Sequence, residues 1–179
     1  MDPIGRAIAR TGLTPNMITT AGFLGNAGAA AVIARGELLW GGAIMLAASA
    51  LDLFDGAVAR ATGQVTRFGA VFDAVFDRLS EAAILLGLLL YFTDKGNSRT
   101  EVVLTYAAVV GSMMVSYVRA RAESHGFELA EGFFRRQERV AVLGIGLLFD
   151  VMTPVLWVLA IATNLTALQR LYATYRKAN

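Results

Sequence analysis

Six apolar stretches, each near the length of a membrane crossing, constrain this chain more than any other feature. They run Met17–Ala34, Leu38–Ala59, Phe68–Phe92, Glu101–Ala120, Arg139–Met152 and Thr153–Tyr172. A helix needs about 20 mostly apolar residues to cross the hydrocarbon. Inside lipid the backbone must satisfy its own hydrogen bonds, which a helix does. The expectation is an all-α integral membrane protein of six transmembrane helices with a polar cavity facing the cytosol. The fifth stretch is the shortest, and Pro154 beside Thr153 predicts the break before the sixth, because proline favours the first turn of a helix. Composition agrees: 56% of the 179 residues are hydrophobic and 17% charged, against about 45–50% and 25% in soluble domains.

This length fits one membrane domain over residues 1–179, with a juxtamembrane arm at 1–15 and a six-helix core at 16–179. No internal repeat is visible. The opening, Met1 to Pro15, is polar and carries no signal-peptide core. Asp2 to Thr14 reads as a short interfacial helix, Ile4, Ile8 and Leu13 toward lipid and Arg6 and Arg10 toward phosphates, or equally as a frayed arm. Gly22, Gly25 and Gly28 predict close packing of the first helix, and Trp40 and Trp157 fit the outer interface.

Orientation follows from the basic residues. Of sixteen Lys and Arg, only Arg35, Lys95 and Arg99 fall on the side away from the N-terminus. The other thirteen predict a multi-pass protein with both termini cytosolic. The absence of cysteine excludes disulfides, thiolate zinc, iron–sulfur clusters and cysteine nucleophiles. One histidine, His125, cannot build a multi-histidine site and reads as an exposed loop residue. Nothing points to nucleic acid.

The informative stretch is Asp52-Leu53-Phe54-Asp55-Gly56-Ala57-Val58-Ala59-Arg60, then Gly69, Asp73 and Asp77. Ionisable groups at membrane depth are expensive and usually mark function. Asp52 and Asp55 are three apart and share a helical face; Gly69, Asp73 and Asp77 are spaced by four and share another. The short link from Arg60 to Arg67 makes the two helices antiparallel neighbours, so both faces can open on one cleft. Four close carboxylates call for hard cations: one or two magnesium or manganese ions. Gly56, Ala59 and Gly69 leave room for a ligand or for close packing, and Arg60 can pair with a phosphate or an acid. The competing readings are a buried ion-pair network, a non-catalytic scaffold, and a metal-binding transporter. The last would carry its acids near the middle of several helices.

The stretch resembles the signature of the CDP-alcohol phosphotransferase family, D-x2-D-G-x2-A-R-x8-G-x3-D-x3-D, matched at every specified position from Asp52 to Asp77. Leu13-Thr14-Pro15-Asn16 is similar to a common opening of that family, whose six-helix layout also matches. The resemblance implies transfer of a phosphoalcohol from a CDP-linked donor to a second alcohol, releasing CMP. It implies that Asp52, Asp55, Asp73 and Asp77 bind two divalent ions, with Asp77 also the general base. It assigns Asp52, Asp55, Gly56, Ala59, Arg60, Gly69 and Asp73 to the nucleotide, and implies a homodimer.

The fourth stretch ends Ser116-Tyr117-Val118-Arg119-Ala120-Arg121-Ala122-Glu123, and Arg139 follows a polar connection. Arg119, Arg121 and Arg139 can converge on a phosphate, which guanidinium groups bind multidentately; the alternative is that they only anchor helix ends at headgroups. The run is similar to family members that accept an inositol phosphate. The expected reaction joins CDP-diacylglycerol to inositol 1-phosphate; the alternative acceptor is glycerol 3-phosphate.

Overall fold

The computed structural model describes residues 13–62, 66–129 and 132–178, and within these the side chains of all but 52–57 and 60–62. The proposed interfacial helix of the N-terminal arm therefore lies outside the described residues, apart from Leu13 and Thr14. Six helices and no strand occur among the described residues: α1 (Pro15–Ala34), α2 (Leu38–Thr62), α3 (Arg67–Asp94), α4 (Arg99–Ser124), α5 (Arg136–Leu148) and α6 (Met152–Ala178). Of these, α1, α4 and α6 are long and apolar enough to cross a membrane, and α2 has a shorter apolar run at Leu38–Leu51.

Local chemistry explains the helix boundaries. Thr14 caps α1, its hydroxyl accepting from the Met17 amide at 3.4 Å, with Pro15 in the first turn. Thr66 caps α3 the same way, accepting from the Gly69 amide at 2.9 Å. The turn after α1 uses Gly36 at φ 89°, a left-handed conformation that glycine adopts without a Cβ penalty. The break between α5 and α6 differs from the sequence expectation. Helix α5 already ends at Leu148, and Asp150 turns the chain at φ 53°. Pro154 sits inside the first turn of α6, where its missing N–H has no partner to lose.

Polarity is arranged for lipid. Leu86, Val103, Ile161, Leu165 and Leu168 are exposed, while Asn26, Thr105, Ser112, Thr163 and Thr166 are buried. A water-soluble protein rarely shows so much exposed apolar surface, whereas membrane helices pack through small and polar residues. The buried hydroxyls are satisfied within their own helices: Thr105, Thr163 and Thr166 donate to carbonyls four residues earlier at 2.7–2.8 Å.

The contacts divide into two compact units, Met1–Gly87 and Leu88–Asn179. In the first, α1 is the spine. It runs antiparallel to α2, with Gly25 against Ala48 and Ile33 against Gly41. It runs parallel to α3, with Asn16 near Gly69, Phe23 edge-on to Phe76 at 5.3 Å, and Ala30 against Gly87. A Cβ on Gly25 would lie 2.8 Å from that of Ala48, so close packing requires this glycine; Gly28 has open space among the described residues. Trp40 and Trp157 are exposed, as is His125.

In the second unit α4 and α6 run parallel. Arg170 bonds the Val115 carbonyl at 2.7 Å, Asn164 bonds that of Ala107 at 3.1 Å, and the Thr153 hydroxyl donates to Glu101 at 2.6 Å. Glu101 is buried and also accepts from the Ser98 hydroxyl. It thus clips the starts of α4 and α6 together. Thr153→Val removes a donor from a buried carboxylate, which costs about 1–3 kcal/mol. The expected result is a melting temperature lowered by several degrees in a detergent-solubilised thermal melt; an unchanged value removes the clip.

Candidate active site

The acidic residues are placed by the spine of the first unit. Counting residue against residue along α1 and α2 from the Gly25–Ala48 contact sets the backbone of Asp52 level with Ala21 and that of Asp55 level with Ile18. Counting along α3 from the Phe23–Phe76 contact sets Asp73 level with Thr20 and Asp77 level with Leu24. The four positions therefore fall within about 9 Å along the helix axis, at 1.5 Å per residue. By the same count Gly56 lies level with Met17 and Gly69 with Asn16, while Ala59 and Arg60 lie level with Thr14 and Leu13, just before α1 begins. The side chains of Asp52, Asp55, Gly56 and Arg60 lie outside the described residues.

An aromatic row fixes the rotation of α3. Phe68, Phe72 and Phe76 stack along one side at centroid distances of 5.9 and 4.2 Å, and Phe76 meets Phe23 of α1. Gly69, Asp73 and Asp77 each follow one of these rings by a single residue, so their row is turned about 100° from it. Asp73 and Asp77 are half-buried on that row. The row continues to Glu81, which is buried. The spacing of four that identified the two aspartates also points to this glutamate, which the sequence analysis did not single out.

The acids are chemically suited to a hard divalent cation: every donor is a carboxylate oxygen. Asp73 and Asp77 alone do not make a three-ligand set, and no group of three or more His, Cys, Asp or Glu placed to hold a metal ion occurs among the described residues. The remaining donors would come from α2. Gly69 has a local constraint besides any ligand. A Cβ there would lie 2.9 Å from the Thr66 hydroxyl that caps α3.

The second unit gathers arginines. Arg139 and Arg170 are 2% and 4% exposed. Arg119, Arg139 and Arg135 all act electrostatically on Arg170, with Glu123 opposing them. Arg119 pairs with Glu123 at 2.8 Å on a half-exposed surface. Arg121 is exposed and is not among the charges acting on Arg170. Two residues apart on α4, Arg119 and Arg121 point about 200° apart. Arg119, Arg135 and Arg139 thus lie within electrostatic reach of Arg170, and Arg121 points toward the other side of α4. Like charges gathered partly out of water repel, and a bound polyanion relieves that repulsion.

Residues 12–168 match the family model described as CDP-alcohol phosphatidyltransferase. The chain belongs to that family. Among curated members of the CDP-alcohol phosphatidyltransferases, it is 37% identical to the phosphatidylinositol phosphate synthase of Mycobacteroides abscessus, over 96% of this chain and 82% of that one. It is 38% identical to the archaetidylinositol phosphate synthase of Pyrococcus horikoshii, over 99% and 92%. The phosphatidylinositol phosphate synthase of Mycobacterium tuberculosis, solved with CDP-DAG bound, superposes with a TM-score of 0.90 at 34% identity, over 97% of this chain and 92% of that one. A second crystal structure of that synthase, in complex with manganese and citrate, gives 0.89 at 34% identity, over 97% and 88%. Family membership leaves the transporter and scaffold readings without support.

Proposed function

We propose that this phosphatidyltransferase joins CDP-diacylglycerol to inositol 1-phosphate, giving phosphatidylinositol phosphate and CMP. The observation that carries the acceptor is the arginine cluster around buried Arg139 and Arg170, which fits a phosphate on the incoming alcohol. The names of the mycobacterial and archaeal relatives support inositol phosphate over glycerol 3-phosphate, which would present the same phosphate.

Asp52, Asp55, Asp73 and Asp77 are the residues that would hold two divalent ions, magnesium or manganese; manganese in a crystal structure of the tuberculosis synthase supports this. When bound, such ions neutralise the diphosphate and ease departure of CMP. Gly56, Ala59, Arg60 and Gly69 flank the nucleotide. Asp77 accepts the proton of the acceptor hydroxyl as its oxygen bonds to phosphorus. The bond from that phosphorus to the CMP oxygen breaks, and no covalent enzyme intermediate is needed. Six membrane crossings as one domain, a cytosol-facing cavity, cytosolic termini in a prokaryotic plasma membrane, and a homodimer complete the reading.

The test is CMP release from CDP-diacylglycerol by purified protein, with manganese or magnesium, against a panel of acceptors. Release is expected with inositol 1-phosphate and not with unphosphorylated inositol. EDTA is expected to abolish it, with recovery on adding excess manganese. Release with glycerol 3-phosphate but not with inositol 1-phosphate would overturn the acceptor assignment.

A further inference from the structure

Gly132, in the connection between α4 and α5, has a backbone that glycine favours, at φ 126°. It also lies against the end of Arg170. A Cβ on Gly132 would stand 2.7 Å from Nε, 2.9 Å from Nη2 and 3.2 Å from Cζ of that guanidinium. The remaining nitrogen, Nη1, donates to the Val115 carbonyl of α4 at 2.7 Å. The guanidinium is therefore seated between a carbonyl on one side and a bare backbone on the other. The connection is itself fastened to α6 beyond Arg170, where Lys177 Nζ donates to the Glu128 carbonyl at 2.6 Å.

We propose that Gly132 is a positioning residue for the acceptor phosphate: its missing side chain lets the α4–α5 connection close on Arg170 and set the direction of the guanidinium. The inference rests on the reading of Arg170 as part of the acceptor-phosphate cluster. A side chain at this position meets the far end of a flexible arginine. Besides the backbone strain that any side chain meets at this φ, it crowds the guanidinium, and that crowding is relieved by pushing the guanidinium aside rather than by opening the helices. Acceptor binding then suffers while the rest of the reaction does not. A glycine kept only for its turn would give a different pattern, a loss of stability with no preference among substrates.

The experiment measures kcat and both KM values, for inositol 1-phosphate and CDP-diacylglycerol, in Gly132→Ala, Arg170→Ala and the double variant. Gly132→Ala is expected to raise the inositol 1-phosphate KM on the order of tenfold, as for weakening one charge-assisted hydrogen bond. The kcat and the donor KM should stay within about twofold. In the double variant the alanine at 132 should add nothing to the effect of Arg170→Ala, because neighbours acting through one group are not additive. A further tenfold loss there, or an unchanged acceptor KM in folded Gly132→Ala, overturns the inference. An unchanged acceptor KM in Arg170→Ala instead overturns the underlying reading of the arginine cluster. If Gly132→Ala fails to fold, Lys177→Met loosens the same connection without adding bulk beside Arg170. It is expected to raise the acceptor KM a few-fold, and an unchanged value counts against the proposal.

Discussion

Asp77→Asn is expected to lower kcat by about 10²–10⁴, the usual contribution of a general base, while leaving a folded protein that CMP still stabilises against heat. The amide has nearly the shape of the carboxylate but cannot take a proton from the acceptor hydroxyl. Asp77 stands between Asp73 and Glu81 on the acidic row of α3, one turn from each and half-buried. Its proposed place in the metal set makes a second readout necessary. Titrating manganese separates the two roles. A loss that excess manganese does not recover belongs to proton transfer; a loss that it recovers belongs to ligation. Activity near that of the unaltered protein would remove Asp77 from the mechanism altogether.

The helical placement of the aspartates was legible because its message is local. Spacings of three and four place carboxylates on helical faces whatever the rest of the chain does. Long apolar runs made the helices equally visible, because lipid leaves the backbone few alternatives. Boundaries were less visible where two signals competed. Pro154 suggested the last break, yet a proline is tolerated within a first turn. The actual reversal is made at Asp150, in the left-handed conformation that aspartate adopts more readily than most residues.

The arginine cluster shows where a linear reading fails. Arg119 and Arg121 look like partners because they are neighbours in the chain, but the α-helical period turns them apart. Arg170 looks like an ordinary basic residue near the end of an apolar helix. What makes it distinctive is a carbonyl on α4, Val115, 55 residues away in sequence, and a glycine whose Cβ would crowd its guanidinium. Neither signal has a period or a motif. Gly69 is the intermediate case. Its small size was visible as room for a ligand, but the Thr66 cap that also demands it needed coordinates.

Arg139→Gln is expected to separate function from stability in the second unit. Arg139 is almost wholly buried, and its charge adds to those of Arg119 and Arg135 acting on Arg170. Its positive charge repels those neighbours, so removing it relieves repulsion as it loses hydrogen bonds. The two effects oppose each other. The melting temperature without acceptor should stay within about 2–4 °C, roughly what 1 kcal/mol does at this chain length. Acceptor binding has no such compensation. A hydrogen bond to a charged group contributes about 1.5–3 kcal/mol, so the inositol 1-phosphate KM should rise by roughly ten- to a hundredfold, with the CDP-diacylglycerol KM unmoved. Thermal stabilisation by inositol 1-phosphate should shrink in parallel, because a ligand stabilises only as far as its concentration exceeds its dissociation constant. A variant that melts far lower yet keeps its acceptor KM would make Arg139 a structural anchor, and the phosphate site would have to be sought without it.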